Sequence, residues 1–124
     1  MAASKDFESK TNSLRHILDT YDIDLVKGEI RNKRTGNDSA KFQHFAGQSS
    51  SNTRYKQVQV FYQSENYKIT AHRIIWAVAH KRWPAEGMVI DHINSDTSDN
   101  KISNLEELSV ADNNVHRKKQ RNTK

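Results

Sequence analysis

Residues 88–114 read MVIDHINSDTSDNKISNLEELSVADNN. Met88-Val89-Ile90 is a short apolar run that feeds straight into Asp91-His92. Residues 94–104 are dominated by Asn, Ser and Asp, residues that bond their own backbone and favour turns. Leu105 to Leu108 returns as a second short strand. Ser109-Val110-Ala111-Asp112 is close to a capping box, with Asp in place of the longer Glu or Gln. A helix is predicted from about 110 to 119. The stretch is therefore strand, Asp-His, long polar loop, strand, capped helix. His92 ends the first strand, Asn104 follows twelve residues later, and Asn113 lies in the first helical turn. His116 sits one turn further on the same helix face. Folding the strand pair onto the helix is expected to bring Asp91, His92 and Asn113 together.

These residue types suit one chemistry. Hydrolysis of a phosphodiester needs a water deprotonated near neutral pH, and neutral imidazole does this. It also needs a cation to stabilise charge on the phosphate and the leaving oxygen. A carboxylate such as Asp91 and an amide carbonyl such as Asn113 are hard oxygen ligands suited to Mg²⁺ or Mn²⁺. Asn104 has the donors and acceptors to bond backbone on both sides of the loop, and so to fix the direction of His92.

Working back from this stretch, Ala71 to Arg82 reads as a helix that is apolar over most of its surface. Thr70 is its expected N-cap and Pro84 its stop. Tyr55 to Phe61 and Tyr67 to Thr70 read as two strands of a hairpin around Ser64-Glu65-Asn66. Ile23 to Arg31 reads as another hairpin around Lys27-Gly28. Residues 32–54 read as loops around Phe42, Phe45 and Gly47. Leu14, Ile17, Leu18 and Tyr21 share one helix face, which predicts a short helix near 11–20 capped by Thr11 or Ser13. Its expected role is packing or self-association. Residues 1–10 are polar and expected to fray. The class is α+β: a small antiparallel sheet, then the strand-loop-strand-helix unit. Trp76 and Trp83 are expected in the core, and His72 is expected to pack or hydrogen-bond at the head of a buried helix. His16, His44 and His80 carry no functional signal.

Composition bounds the reading. The chain has 124 residues, of which 34% are hydrophobic. Leu, Ile, Val and Phe number 25 in all, about a fifth of the chain and near the border where burial alone sustains a fold. A large buried substrate cavity is not expected. With no Cys there is no disulfide, thiolate zinc site or thiol nucleophile. A structural zinc site resting on His72, His92 and His116 is a weak alternative. The longest apolar run, Ile74 to Ala79, is too short to span a bilayer. The N-terminus lacks the apolar core of a signal peptide, so a soluble, cytoplasmic protein is expected. The net charge of +5 is uneven. Residues 86–112 hold seven acids against Lys101, a net of −6, which leaves +11 on the rest. Such a body suits a polyanion, with a cation held at one point.

Asp91-His92-Ile93-Asn94, then Asp99-Asn100-Lys101, then Asn104-Leu105, then Asp112-Asn113-Asn114 resembles the signature of the HNH endonucleases. It is most similar to the His-Asn-Asn branch found in phage and intron-encoded nucleases, the homing type included. Tyr21, Gly28, Gly36, Gly47, Tyr55, Ala71-His72-Arg73, Trp76 and Trp83-Pro84 stand where such proteins often carry the same residues, so the resemblance spans 21–116. It implies a ββα-metal nuclease that hydrolyses double-stranded DNA, leaving 5′-phosphate and 3′-hydroxyl ends. His92 would be the general base and Asn104 the residue that orients the loop. Asp91 and Asn113 would hold the divalent cation, with His116 as an auxiliary. A phage-infected host cell is implied as the setting. One site cuts one strand, so a monomer nicks and a double-strand break needs a homodimer, for which helix 11–20 is a candidate contact.

Under this reading 1–20 is a polar segment with a short helix, and 21–84 a sheet-plus-helix part that contacts DNA. The ββα-metal motif is 85–119, and 120–124 is a basic tail. Expected DNA contacts are Arg31, Lys33, Arg34, Arg54, Lys56, Arg73, Arg117, Lys118, Lys119 and Arg121. Three departures stand out. Family members commonly carry Asn-Leu-Arg where this chain has Asn104-Leu105-Glu106. Asp-Asn-Arg is replaced by Asp99-Asn100-Lys101, which loses bidentate hydrogen bonding. A Gly often precedes the strand tyrosine, where this chain has Arg54. The competing function is a non-catalytic DNA-binding protein on the same scaffold, which Glu106 and the basic excess also fit.

Overall fold

A computed structural model describes residues 4–42 and 55–112. Helices α1 (Ser4–Glu8) and α2 (Ser13–Thr20) lead into the hairpin β1 (Tyr21–Asp24) and β2 (Glu29–Asn32). Strands β3 (Lys41–Phe42), β4 (Lys56–Tyr62) and β5 (Glu65–Thr70) form an antiparallel sheet in that order. Helix α3 (Ala71–His80) follows, then the hairpin β6 (Met88–His92) and β7 (Leu105–Ser109). A 3₁₀ turn at Ile102–Asn104 opens directly into β7. The chain is α+β, with its strands divided among three small sheets.

Helix α3 explains how so few apolar residues suffice. Ala71, Ile74, Ile75, Trp76 and Ala77 are buried, so several of its faces are covered at once. It touches β4 and β5 on one side and β6, β7 and the 3₁₀ turn on another. Val58, Val60 and Ile69 from the larger sheet and Ile90 and Leu105 from the β6–β7 hairpin join the same core. Burying one such isoleucine contributes roughly 1.5–3 kcal/mol. In β4 the inward face is that of Val58 and Val60, and Phe61 is left 63% exposed on the other.

Several local expectations are revised. Residues 4–8 are helical, and Phe7 is fully buried with its ring 5.3–6.0 Å from those of Tyr62, Tyr67 and Trp83. One aromatic in a polar stretch has no periodic partner to announce it. The N-cap position of α2 is held by Asn12 in the left-handed region, with neither Thr11 nor Ser13 capping. The Ser13 hydroxyl accepts the Trp83 indole N–H at 3.0 Å instead. Thr70 sits at the N-cap of α3 with extended backbone, yet its hydroxyl makes no capping bond. The β4–β5 turn is Gln63-Ser64, both at positive φ, one residue before the turn expected from composition. A two-residue hairpin of this kind matches the twist of its strands. Helix α3 ends at His80, which frees Arg82 to lie 4.7 Å over the Trp76 ring and pair with Glu107 at 3.1 Å. Among the described residues no helix is long and apolar enough to cross a membrane.

Helix α1 is fastened by charge. The Arg73 guanidinium donates to Glu8 twice, Nε to Oε2 at 3.0 Å and Nη2 to Oε1 at 2.6 Å. The two side chains are 19% and 9% exposed, so neither charge is well served by water alone. Removing one partner of such a pair leaves the other uncompensated. Glu8→Ala is expected to cost about 3 kcal/mol in urea unfolding. The double variant with Arg73→Met is expected to recover part of that loss, and a loss under 0.5 kcal/mol for Glu8→Ala alone would contradict this account.

Candidate functional site

Strands β6 and β7 pair in register from Met88↔Ser109 to His92↔Leu105. This ladder carries His92 to the point where the chain leaves the sheet. Ser95, at φ 64, donates its N–H to the His92 carbonyl at 2.9 Å and turns the chain away. The loop beyond is a chain of side-chain-to-backbone turns. Asn94 Oδ1 accepts from Asp96 N–H at 2.9 Å, and Asp96 Oδ1 accepts from Ser98 N–H at 3.0 Å. The Ser98 hydroxyl also donates to Asp96, and these bonds hold the Asp96 carboxyl below its ordinary range.

Asn104 ties the two ends of this loop. Its Oδ1 accepts the Asn94 N–H at 3.0 Å. Its Nδ2 donates to Asn94 Oδ1 and to the Asp99 carbonyl, both at 2.9 Å. Its backbone carbonyl accepts the Ile93 N–H at 2.8 Å. Asn104 is only 9% exposed, so these bonds form in a poorly hydrated place.

His92 is 3% exposed and faces three groups. Its Nε2 lies 2.7 Å from Oδ1 of Asn100, itself 3% exposed. Its ring centroid is 4.7 Å from that of His72 and 6.0 Å from that of Tyr55, the latter nearly parallel at 19°. Tyr55 and His72 also meet, at 5.2 Å. His72 is pushed down to about 3 from an ordinary 6.5, chiefly by burial, then by the charges of His92 and Arg73. It therefore stays neutral at physiological pH and can pack against a second imidazole without repulsion.

Asp91 precedes His92 on β6, so the two side chains leave the strand on opposite faces. Across the ladder Asp91 is paired directly with Glu106. Directly paired positions lie about 5 Å apart at their Cβ atoms, so the two acids share one face of the ribbon. Among the described residues no three or more His, Asp or Glu side chains form a metal cage. Other acids of the −6 island have structural partners. Glu107 accepts from Arg82 and from the Ala85 N–H, and these bonds, Arg82 first, lower its carboxyl. Asp99 lies 3.6 Å from Lys101 and accepts from Asn94 Nδ2 at 3.2 Å.

Of the other expected site residues, Asn113, His116, Arg117, Lys118, Lys119, Arg121 and Arg54 lie outside the described residues. Asp112 N–H donates to the Ser109 hydroxyl at 3.1 Å as a helical turn begins at 110. Arg31, Lys33 and Arg34 are exposed at the open end of the β1–β2 hairpin, and Lys56 is half-buried at the start of β4. Arg73, expected at a DNA surface, is turned to Glu8. Trp76 is buried and Trp83 packs against the core. Asn100 and the ring pair Tyr55–His72 were not singled out from the sequence as partners of His92. Asn100 stood within Asp99-Asn100-Lys101, where a polar residue looks like any other turn former.

Residues 70–115 match the family model described as HNH endonuclease. A solved structure described as "DNA binding and cleavage by the HNH homing endonuclease I-HmuI" is similar in fold, with a TM-score of 0.57 and 22% identity. The similarity covers 84% of this chain and 54% of that one, so the chain spans about half of that protein's length. No curated protein matches the chain.

Two outcomes follow from this geometry. Above pH 6.5, His72 is neutral whether the chain is folded or not. Below it the unfolded chain binds a proton that the native site refuses until near pH 3, so stability falls as pH falls. The slope from this residue approaches about 1.4 kcal/mol per pH unit. Urea unfolding of wild type and His72→Phe between pH 7 and 4 should show a shallower loss in the variant; equal slopes refute the assignment. Asn104→Ala leaves the Asn94 N–H and the Asp99 carbonyl without their partner. It is expected to cost about 2 kcal/mol. Amide exchange should rise selectively over residues 94–103, and uniform protection across that loop would refute the tie.

Proposed function

We propose that this chain is a metal-dependent nuclease that hydrolyses DNA, a reading supported by the match of residues 70–115 to the family model described as HNH endonuclease. The observation that carries this reading is the placement of Asp91-His92 at the end of β6, with Asn104 closing the loop behind them. His92 takes a proton from water, and the resulting hydroxide attacks phosphorus as the 3′ oxygen leaves. Asn104 holds the loop so that the imidazole does not swing, and Asn100 occupies one of its nitrogens.

The family's chemistry calls for a divalent cation, Mg²⁺ or Mn²⁺. Asp91 would hold it, with Asn113 as the second protein ligand. The donor set fits: one carboxylate and one amide oxygen leave places for waters and phosphate oxygens, as Mg²⁺ prefers. The Glu106 carboxylate on the same ribbon face as Asp91 adds negative potential there. When bound, the cation stabilises charge on the phosphate and the leaving oxygen.

Double-stranded DNA is the proposed partner. Arg31, Lys33 and Arg34 are exposed cations on the N-terminal hairpin, suited to phosphate contact. Lys56, Arg54, Arg117, Lys118, Lys119 and Arg121 complete the proposed footprint. Arg73 is left out because its guanidinium is committed to Glu8. A single site acts on a single strand, so the monomer nicks and a homodimer is needed for a double-strand break.

Supercoiled plasmid with Mg²⁺ or Mn²⁺ provides the test. Wild type should convert it to the open circle, and His92→Ala should do so about 10²- to 10⁴-fold more slowly while binding DNA equally in a gel shift. If both proteins bind and neither cuts with any divalent cation, the chain is a non-catalytic DNA-binding protein on this scaffold.

A further inference from the structure

An amide oxygen accepts a hydrogen bond and cannot donate one. Since Oδ1 of Asn100 lies 2.7 Å from Nε2 of His92, that nitrogen carries the hydrogen. In the neutral ring the lone pair then sits on Nδ1. The rings of His72 and Tyr55, at 4.7 and 6.0 Å, restrict the imidazole from its sides. The tautomer and the orientation of His92 therefore depend on where Asn100 is.

Asn100 is held from outside its own loop. The Ile102 N–H donates to the Leu25 carbonyl at 2.9 Å, which docks the β1–β2 turn on the segment that follows Asn100. At Gly28 the two backbones are so close that an added Cβ would lie 2.7 Å from the Asn100 carbonyl oxygen and 2.5 Å from the Lys101 nitrogen. Gly28 also has φ +72, the left-handed region that other residues enter at a cost. Space and backbone conformation each exclude a side chain there.

We infer that Asn100 is a positioning residue that selects the Nε2–H tautomer of His92, and that the Leu25–Gly28 turn is the clamp that keeps Asn100 in place. The N-terminal hairpin is then part of the device that sets the general base, in addition to carrying cations. The catalytic consequence rests on the reading of His92 as that base; the tautomer and the clamp do not.

The test uses the full chain, ¹⁵N-labelled at histidine, at a pH where imidazoles are neutral. Long-range ¹H–¹⁵N correlation distinguishes the two tautomers, and His92→Gln assigns the resonance. Wild type should show His92 as the Nε2–H form. Asn100→Ala and Gly28→Ala should shift it toward a mixture, and Asn100→Asp, which keeps an acceptor oxygen, should restore the wild-type form. An Nδ1–H form in wild type, or a tautomer indifferent to Asn100→Ala, overturns the proposal. In plasmid nicking, Asn100→Ala and Gly28→Ala should lower kcat roughly tenfold to a hundredfold with KM within about twofold. A loss confined to KM overturns the positioning role. If Asn100→Ala or Gly28→Ala does not fold, the wild type and Asn100→Asp still decide the question, since an Nδ1–H form in either overturns the proposal. If wild type does not nick at all, the nuclease reading fails, while the spectra still judge the tautomer and the clamp.

Discussion

The burial of α3 between the β3–β4–β5 sheet and the β6–β7 hairpin is the constraint on which the rest of the molecule depends. Two-stranded ribbons are marginal in water unless they pack on something. The β6–β7 hairpin packs on α3 through Ile90 and Leu105, and Leu105 is the residue directly paired with His92. The helix therefore fixes the ribbon, and the ribbon fixes where the imidazole emerges. His72, on the first turn of α3, then meets the His92 ring directly. Scaffold and candidate site are coupled by contact, with no intervening layer.

The polar loop obeys a second constraint. A loop that leaves the ladder loses its strand partners, so its backbone groups are met by its own side chains or by water. Asn94, Asp96, Asp99 and Asn104 meet that need with side-chain oxygens and amides. The abundance of Asn, Asp and Ser at 94–104 is thus a structural requirement before it is a catalytic one. The same logic extends to Asn100 and His92. Both are buried polar groups, and each supplies the partner that the other requires.

Much of this architecture was legible in the sequence where a period or a spacing carried it. The apolar surface of Ala71 to Ala79, the alternation around Val58 and Val60, and the strand-loop-strand pattern after Met88 each report a burial pattern that neighbouring residues share. The separation of His92 from Asn104 was legible for the same reason, since a ladder and a loop of fixed length set it. What was not legible depends on single residues meeting across long separations. Phe7 enters the core from a polar stretch, Arg73 turns to Glu8, and Gly28 abuts the backbone of Asn100. None of these leaves a periodic trace. Gly28 looked like an ordinary hairpin glycine, and its φ agrees with that, yet the contact that bars a side chain comes from another hairpin.

The charge pattern also changes meaning once it has coordinates. Read along the chain, residues 86–112 form an undifferentiated acidic island. In the fold, Asp96 and Asp99 shape the loop, and Glu107 anchors Arg82 and the Ala85 N–H. Asp91 and Glu106 are directly paired across the ladder, so two acids share one side of the ribbon. Like charges directly paired across a ladder destabilise it. Glu106 stands directly across the ladder from Asp91, next to Leu105, the residue paired with His92. An arginine opposite Asp91 would neutralise that carboxylate, whereas Glu106 raises the negative potential around it. Two acids on one ribbon face favour a cation over an anion there, and the exposed cations Arg31, Lys33 and Arg34 lie elsewhere, on the N-terminal hairpin.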